Sequence, residues 1–173
     1  MNEKRIKIAE SNFKKYLEDG LIRKSEFEDV IYETYFRNSL ESLNSANNLF
    51  ENKISFLWVV IASYYSMFYI ACAYIYKRGY KTSHEIVHQI INESLIVLAR
   101  HDLEKHFLEE YQEEKEKALS ASENLLNSYE FEKIKRSSFQ YETTVMIKES
   151  KAKTSLERAK NFISVIRLLL AKK

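Results

Sequence analysis

Two adjoining constellations in the sequence carry residue types that do chemistry. In Tyr76-Lys77-Arg78-Gly79-Tyr80-Lys81, aromatic rings alternate with cations. Rings stack on unpaired bases and cations meet the phosphates between them, so this composition suits single-stranded nucleic acid or a nucleotide. It also arises wherever a buried helix simply meets solvent. His84-Glu85-Ile86-Val87-His88 is a literal H-E-x-x-H. On a helix that spacing sets two imidazoles one turn apart for zinc, with the glutamate as general base. A working site needs a third protein ligand, and nothing singles out one of His101, His106 and Glu109. Thr82-Ser83-His84-Glu85 reads more plainly as a capping box, Glu85 folding back onto the Thr82 amide. We therefore expect no metal and no cofactor. A second basic patch, Lys133, Lys135 and Arg136, precedes Tyr141.

The elements that position these residues are helices. The 173 residues include no Pro and only Gly20 and Gly79, with abundant Leu, Ile, Ala, Glu and Lys. Such a chain has few forced helix stops and lacks the residues of tight hairpin turns. The composition predicts an all-α fold, and the length predicts one domain over residues 1–173, with 1–24 forming a peripheral N-terminal helix. The 27 Lys/Arg and 25 Asp/Glu are interspersed for a net charge of +2. Affinity for nucleic acid must then come from a local patch. The single cysteine, Cys72, reads as a buried thiol, and the first 20 residues carry charges throughout with no apolar core, unlike a secretory signal. A cytoplasmic location is expected.

Along the chain, Ile6, Ala9, Phe13 and Leu17 stripe a first helix from Glu3 to about Glu18, stopped by Asp19-Gly20. Ser25, with Glu28 as capping-box partner, is expected to start a second helix reaching about Asn52. A third covers the uncharged run and ends near Lys77, with Gly79 as its left-handed cap. A fourth is expected from Thr82 or Ser83 to about Ala99. The stretch Leu103 to Lys117 presents Glu104, Glu109, Glu110, Glu113, Glu114 and Glu116 as a solvated face. Residues 118–141 form one helix or two. The last helix carries a clean seam of Ala152, Leu156, Ala159, Ile163, Ile166 and Leu170.

From Phe56 to Tyr76, 21 residues pass without a charge. That length spans a bilayer. Its five tyrosines and Ser63 and Ser66 are spread along the run, where a membrane helix would keep Tyr near its ends. A helix apolar all round is equally the central member of a soluble bundle, and Ala62, Ser66 and Ala73 let neighbours approach closely. We expect a core helix and no membrane.

Trp58, then Ala62-Ser63-Tyr64-Tyr65-Ser66-Met67-Phe68-Tyr69, Ala71, Ala73, Gly79 and Lys81-Thr82-Ser83-His84 together resemble the HEPN domain, in particular its small stand-alone prokaryotic members. The resemblance extends over roughly residues 30 to 170 and is densest from Trp58 to His84. Thr82 is inserted within the K-S-H signature that those proteins show. The resemblance implies an antiparallel bundle of four to five core helices plus the N-terminal helix, and a homodimer. It also implies binding of RNA or nucleotide and, in active members, metal-independent ribonuclease action, often as the toxin half of a module with a nucleotidyltransferase antitoxin.

The family's catalytic signature is an Arg followed four to six residues later by His. Such a pair would stabilise the phosphorane and activate the 2′-hydroxyl. Where that motif would fall, this chain reads Arg136-Ser137-Ser138-Phe139-Gln140-Tyr141, tyrosine replacing histidine. Tyrosine, with a pKa of about 10, is a poor base at neutral pH but still donates a hydrogen bond and stacks on a base. Arg78 with His84, and Arg100 with His106, satisfy the same spacing, the former across a helix junction. Catalysis therefore stays open between a retired and a modified site. The alternative is a non-catalytic helical module that binds a partner protein.

Overall fold

The computed structural model describes residues 2–83, 85–134 and 147–171, with backbone alone over 124–134. Among these, α1 spans Glu3–Glu18, β1 Ile22–Lys24, α2 Asp29–Glu51, α3 Phe56–Lys77, β2 Tyr80–Thr82, α4 Val87–Ala99, α5 Lys105–Ile134 and α6 Glu149–Ala171. The fold is all-helical apart from the small antiparallel ribbon of β1 and β2.

The uncharged run is the axis of the bundle. Ser55 caps α3 by accepting from the Trp58 amide. Residues 52–55 make a short connection, so α2 and α3 are antiparallel neighbours. They meet through small residues: Ser39 and Ala46 are the fully buried positions of α2, and Ser39 Oγ donates to the Ser66 carbonyl at 2.7 Å. On its other sides, α3 buries Tyr64, Met67, Ile70 and Tyr74 against Ile91 and Leu95 of α4, Tyr111 of α5 and Phe162 and Ile166 of α6. The helix is long and apolar enough to cross a membrane, but 67% of its most apolar segment is buried inside the protein. Burial also raises the Cys72 thiol far above its ordinary range, as expected of an inert core cysteine.

Helix α1 docks on α4 and the ribbon. Ala9, Phe13 and Tyr16 are its buried residues, so the apolar stripe turns toward Tyr16 and leaves Leu17 at 37% exposure. Burial of Phe13 and Tyr16 contributes on the order of 2 kcal/mol each relative to exposure. Arg5 adds a bidentate pair to the buried carboxylate of Glu93, at 2.6 and 2.7 Å.

Three local expectations are corrected. Helix α2 begins at Asp29 rather than Ser25, because residues 25–28 are drawn across the end of α3. Ser25 N–H donates to the Gly79 carbonyl, and Glu28 N–H to the Tyr76 hydroxyl. Helix α4 begins at Val87, because Thr82 is committed to β2 and Ile86 takes a left-handed conformation at φ 42°, so no capping box forms and Glu85 is exposed in a turn. The acidic stretch is not wholly solvated: Glu114 is completely buried, bonded to Lys117 Nζ at 2.7 Å and Arg158 Nη1 at 3.0 Å. Of residues 118–141, left open between one helix and two, those up to Ile134 continue α5 unbroken from Lys105, and 135–141 lie outside the described residues. The seam of α6 is as expected, with all six of its residues buried.

Candidate nucleic-acid interface

The ribbon brings two basic segments together that are far apart in sequence. Arg23 lies opposite Lys81, and Lys24 opposite Tyr80. Residues directly opposed in an antiparallel pair share a face at close range, and like charges in that arrangement repel. Arg23 and Lys81 are therefore placed against their own electrostatic preference. Both are exposed, as is Lys24, and among the described residues none of the three has a carboxylate within salt-bridge distance. Arg23 is oriented by a bond from Nε to the Gly20 carbonyl at 3.0 Å.

Beside the ribbon, Lys24, Ser25, Glu26, Arg78, Gly79 and Tyr80 line a shallow groove. Its two walls are tied at 3.0 Å by the Ser25 amide and the Gly79 carbonyl. Gly79 turns the chain at φ +85°, and an added Cβ would meet nothing within 4 Å. The glycine is needed here for its backbone, not for room. Tyr76 fixes the first wall from beneath. Its hydroxyl accepts from Glu28 N–H and donates to the Glu26 carbonyl, each at 3.0 Å.

The sequence-predicted residues divide accordingly. Arg78, Tyr80 and Lys81 meet at this end of the bundle. Tyr76 lies beneath it at 2% exposure, with its ring against Phe27 and Tyr35 rather than presented to solvent. Lys77 turns to the other side, bonding the Leu170 carbonyl at the end of α6 and lying over the Tyr32 ring. Arg78 is held by Asp102 at 2.6 Å, by the Tyr74 hydroxyl at 2.8 Å and over the Tyr74 ring at 5.0 Å. Burial pushes the Tyr74 phenol up to about 12, against the pull of Arg78, so it stays a neutral partner. His84, Lys135, Arg136 and Tyr141 lie outside the described residues, as does the side chain of Lys133. Arg23 and Lys24 were missed by sequence reasoning. Their signal is a strand pairing, which short polar segments do not announce.

His88 occupies a different position, over α3. Its Nδ1 lies 2.8 Å from the Tyr64 hydroxyl, and the rings of Tyr64, Tyr65 and Phe68 surround it. Burial, helped by Lys115, lowers its pKa, which favours neutral imidazole. The H-E-x-x-H reading needs a helix spanning both histidines, but α4 starts at Val87. Arg100 pairs with Glu10 at 2.6 Å and His106 with Glu104 at 3.3 Å.

A second groove follows α2 and α3, with Leu49, Ala62, Tyr65 and Tyr69 along it and Trp58 at 52% exposure.

Comparison with known proteins adds one match: the family model of the HEPN domain fits residues 32–169. No curated protein and no solved structure matches the chain.

Proposed function

The chain belongs to the HEPN domain family, and from that premise we propose that it binds RNA through the β1–β2 end of its bundle. The family is generally associated with RNA-binding or nuclease roles. The observation that carries the proposal is the opposition of Arg23 and Lys81 with no compensating carboxylate among the described residues. A like-charge pair of this kind is relieved by phosphate, and Lys24 adds a third exposed cation at this end of the bundle. The test is anisotropy of a labelled single-stranded RNA between about 50 and about 200 mM salt. Affinity should fall with salt. The double variant Arg23→Ala, Lys81→Ala should bind about tenfold more weakly, with a salt slope shallower by about two. An unchanged slope would remove the ribbon from the interface.

On the family resemblance, the proposal extends to a cytoplasmic homodimer acting as the toxin half of a module with a nucleotidyltransferase antitoxin. Metal-independent cleavage, through Arg136 with Tyr141 or Arg78 with His84, is its catalytic part. Co-purification of the chain with an adjacently encoded nucleotidyltransferase, and light scattering of the pure protein, test the partner and the dimer.

A second reading is favoured by Trp58, whose half-exposed indole heads the α2–α3 groove. Large rings in such positions anchor protein interfaces. If the ribbon variants leave RNA binding untouched, a non-catalytic interaction module working through this groove becomes the better account.

A further inference from the structure

We propose that the groove between residues 24–26 and 78–80 is a base pocket selective for guanine, an inference that rests on RNA binding at the ribbon. Its lining residues mix three chemistries: the basic Lys24 and Arg78, the aromatic Tyr80 and the acidic Glu26. A groove built for phosphate alone has no use for a carboxylate, which repels it. Glu26 therefore points to a ligand with donors as well as negative charge.

The Glu26 carboxylate has no partner among the described residues, although two cations line the same groove. Arg78 is already engaged by Asp102 and Tyr74. The backbone of Glu26 is fixed by contrast, since its carbonyl accepts from both the Tyr76 hydroxyl and Ser25 Oγ at 3.0 Å. The carboxylate is thus carried by an anchored segment, which limits the ordering cost when a ligand arrives.

An ionised carboxylate accepts hydrogen bonds and donates none. Among the four RNA bases, guanine alone offers two adjacent donors on its Watson–Crick edge, N1–H and the N2 amino group. Adenine sets one donor beside one acceptor there, cytosine one donor beside two acceptors, and uracil one donor between two carbonyls. Glu26 matches guanine and leaves an acceptor facing an acceptor with the others. Tyr80 supplies the stacking surface. Its ring is half-buried and braced edge-on by Phe13, with centroids 5.5 Å apart and planes at 75°. Lys24, directly opposite Tyr80 in the ribbon, is placed to meet the adjoining phosphate.

The test compares labelled uridine oligonucleotides carrying one central guanosine or one central adenosine, titrated into the wild-type protein and into Glu26→Gln and Glu26→Ala. The wild type should bind the guanosine oligonucleotide about tenfold more tightly than the adenosine one. Both variants, folded as judged by circular dichroism, should bind the two alike, near the wild-type affinity for adenosine. Equal affinities in the wild type, or a preference that survives Glu26→Ala, would overturn the pocket while leaving RNA binding at the ribbon intact. Failure of every oligonucleotide to bind would remove both.

Discussion

The Tyr64 hydroxyl lies 2.8 Å from His88 Nδ1 in a half-buried aromatic surround, joining the first turn of α4 to the middle of α3. Burial raises the Tyr64 pKa, so the phenol remains protonated and donates. We assign His88 the tautomer with its proton on Nε2. Protonating Nδ1 removes the acceptor and puts a cation among rings, near Lys115. The folded-state pKa of His88 lies below the unfolded value of about 6.5. In the window between them the unfolded chain binds more protons, so stability is present above about pH 6.5 and is lost as pH falls through the folded pKa. Thermal melts at about pH 7.5 and about pH 5.5 should show this loss, and His88→Gln should reduce the difference. An identical pH response in the variant would remove His88 from the account.

Tyr76→Phe isolates the support beneath the groove. The ring stays in the core, while the hydroxyl that takes Glu28 N–H and gives to the Glu26 carbonyl is deleted. Stability should drop by about 1 to 2 kcal/mol in urea unfolding. RNA affinity should weaken although no group facing the groove has changed. Full affinity at reduced stability would mean that residues 25–28 hold their place without this bond.

The bundle was legible because its signals are local and repetitive. Gly79 ended α3 by its positive φ, and the seam of α6 could be counted residue by residue. The start of α4 was not legible. Thr82-x-x-Glu85 satisfies a capping box on paper, but Thr82 pairs with Ile22, a residue sixty positions earlier, and that pairing overrides the local preference. The same long-range contact makes the basic patch, so Arg23 and Lys24 were missed for the reason that Thr82 was misassigned. Glu114 failed differently. Its partner Arg158 lies on α6, and an acidic run gives no sign of which carboxylate a distant cation will select.

That selection has a measurable consequence. Glu114 is completely buried, and Arg158 also reaches Glu113 at 2.7 Å and Glu110 at 3.5 Å. Arg158→Ala leaves Glu114 with Lys117 as its charged partner and should destabilise the protein by about 3 kcal/mol. Glu114→Leu with Arg158→Met removes the buried carboxylate together with its half-buried partner and should cost less than Arg158→Ala alone. Chemical denaturation of these proteins decides this, and additive losses in the cycle completed by the single variants Glu114→Leu and Arg158→Met would show that the pair is not coupled.

Cleavage, finally, separates from binding by its dependence on particular residues. If Arg136 stabilises a pentacoordinate phosphate with Tyr141 as hydrogen-bond donor, RNA incubated in chelator should be cut, and Arg136→Ala should slow cutting by about a hundredfold or more. Tyr141→His should raise the rate, because an imidazole with a pKa of about 6.5 serves as a base at neutral pH where a phenol with a pKa of about 10 does not. A gain on Tyr141→His together with a loss on Arg136→Ala would identify a modified catalytic pair. Cutting that survives Arg136→Ala but is lost in His84→Ala would move the chemistry to Arg78 and His84. That placement would require Arg78 to act while held by Asp102 at 2.6 Å, and Asp102→Asn should then raise the rate by freeing the guanidinium. No cutting in any of these proteins, with binding retained, would leave a HEPN domain that holds RNA without cleaving it.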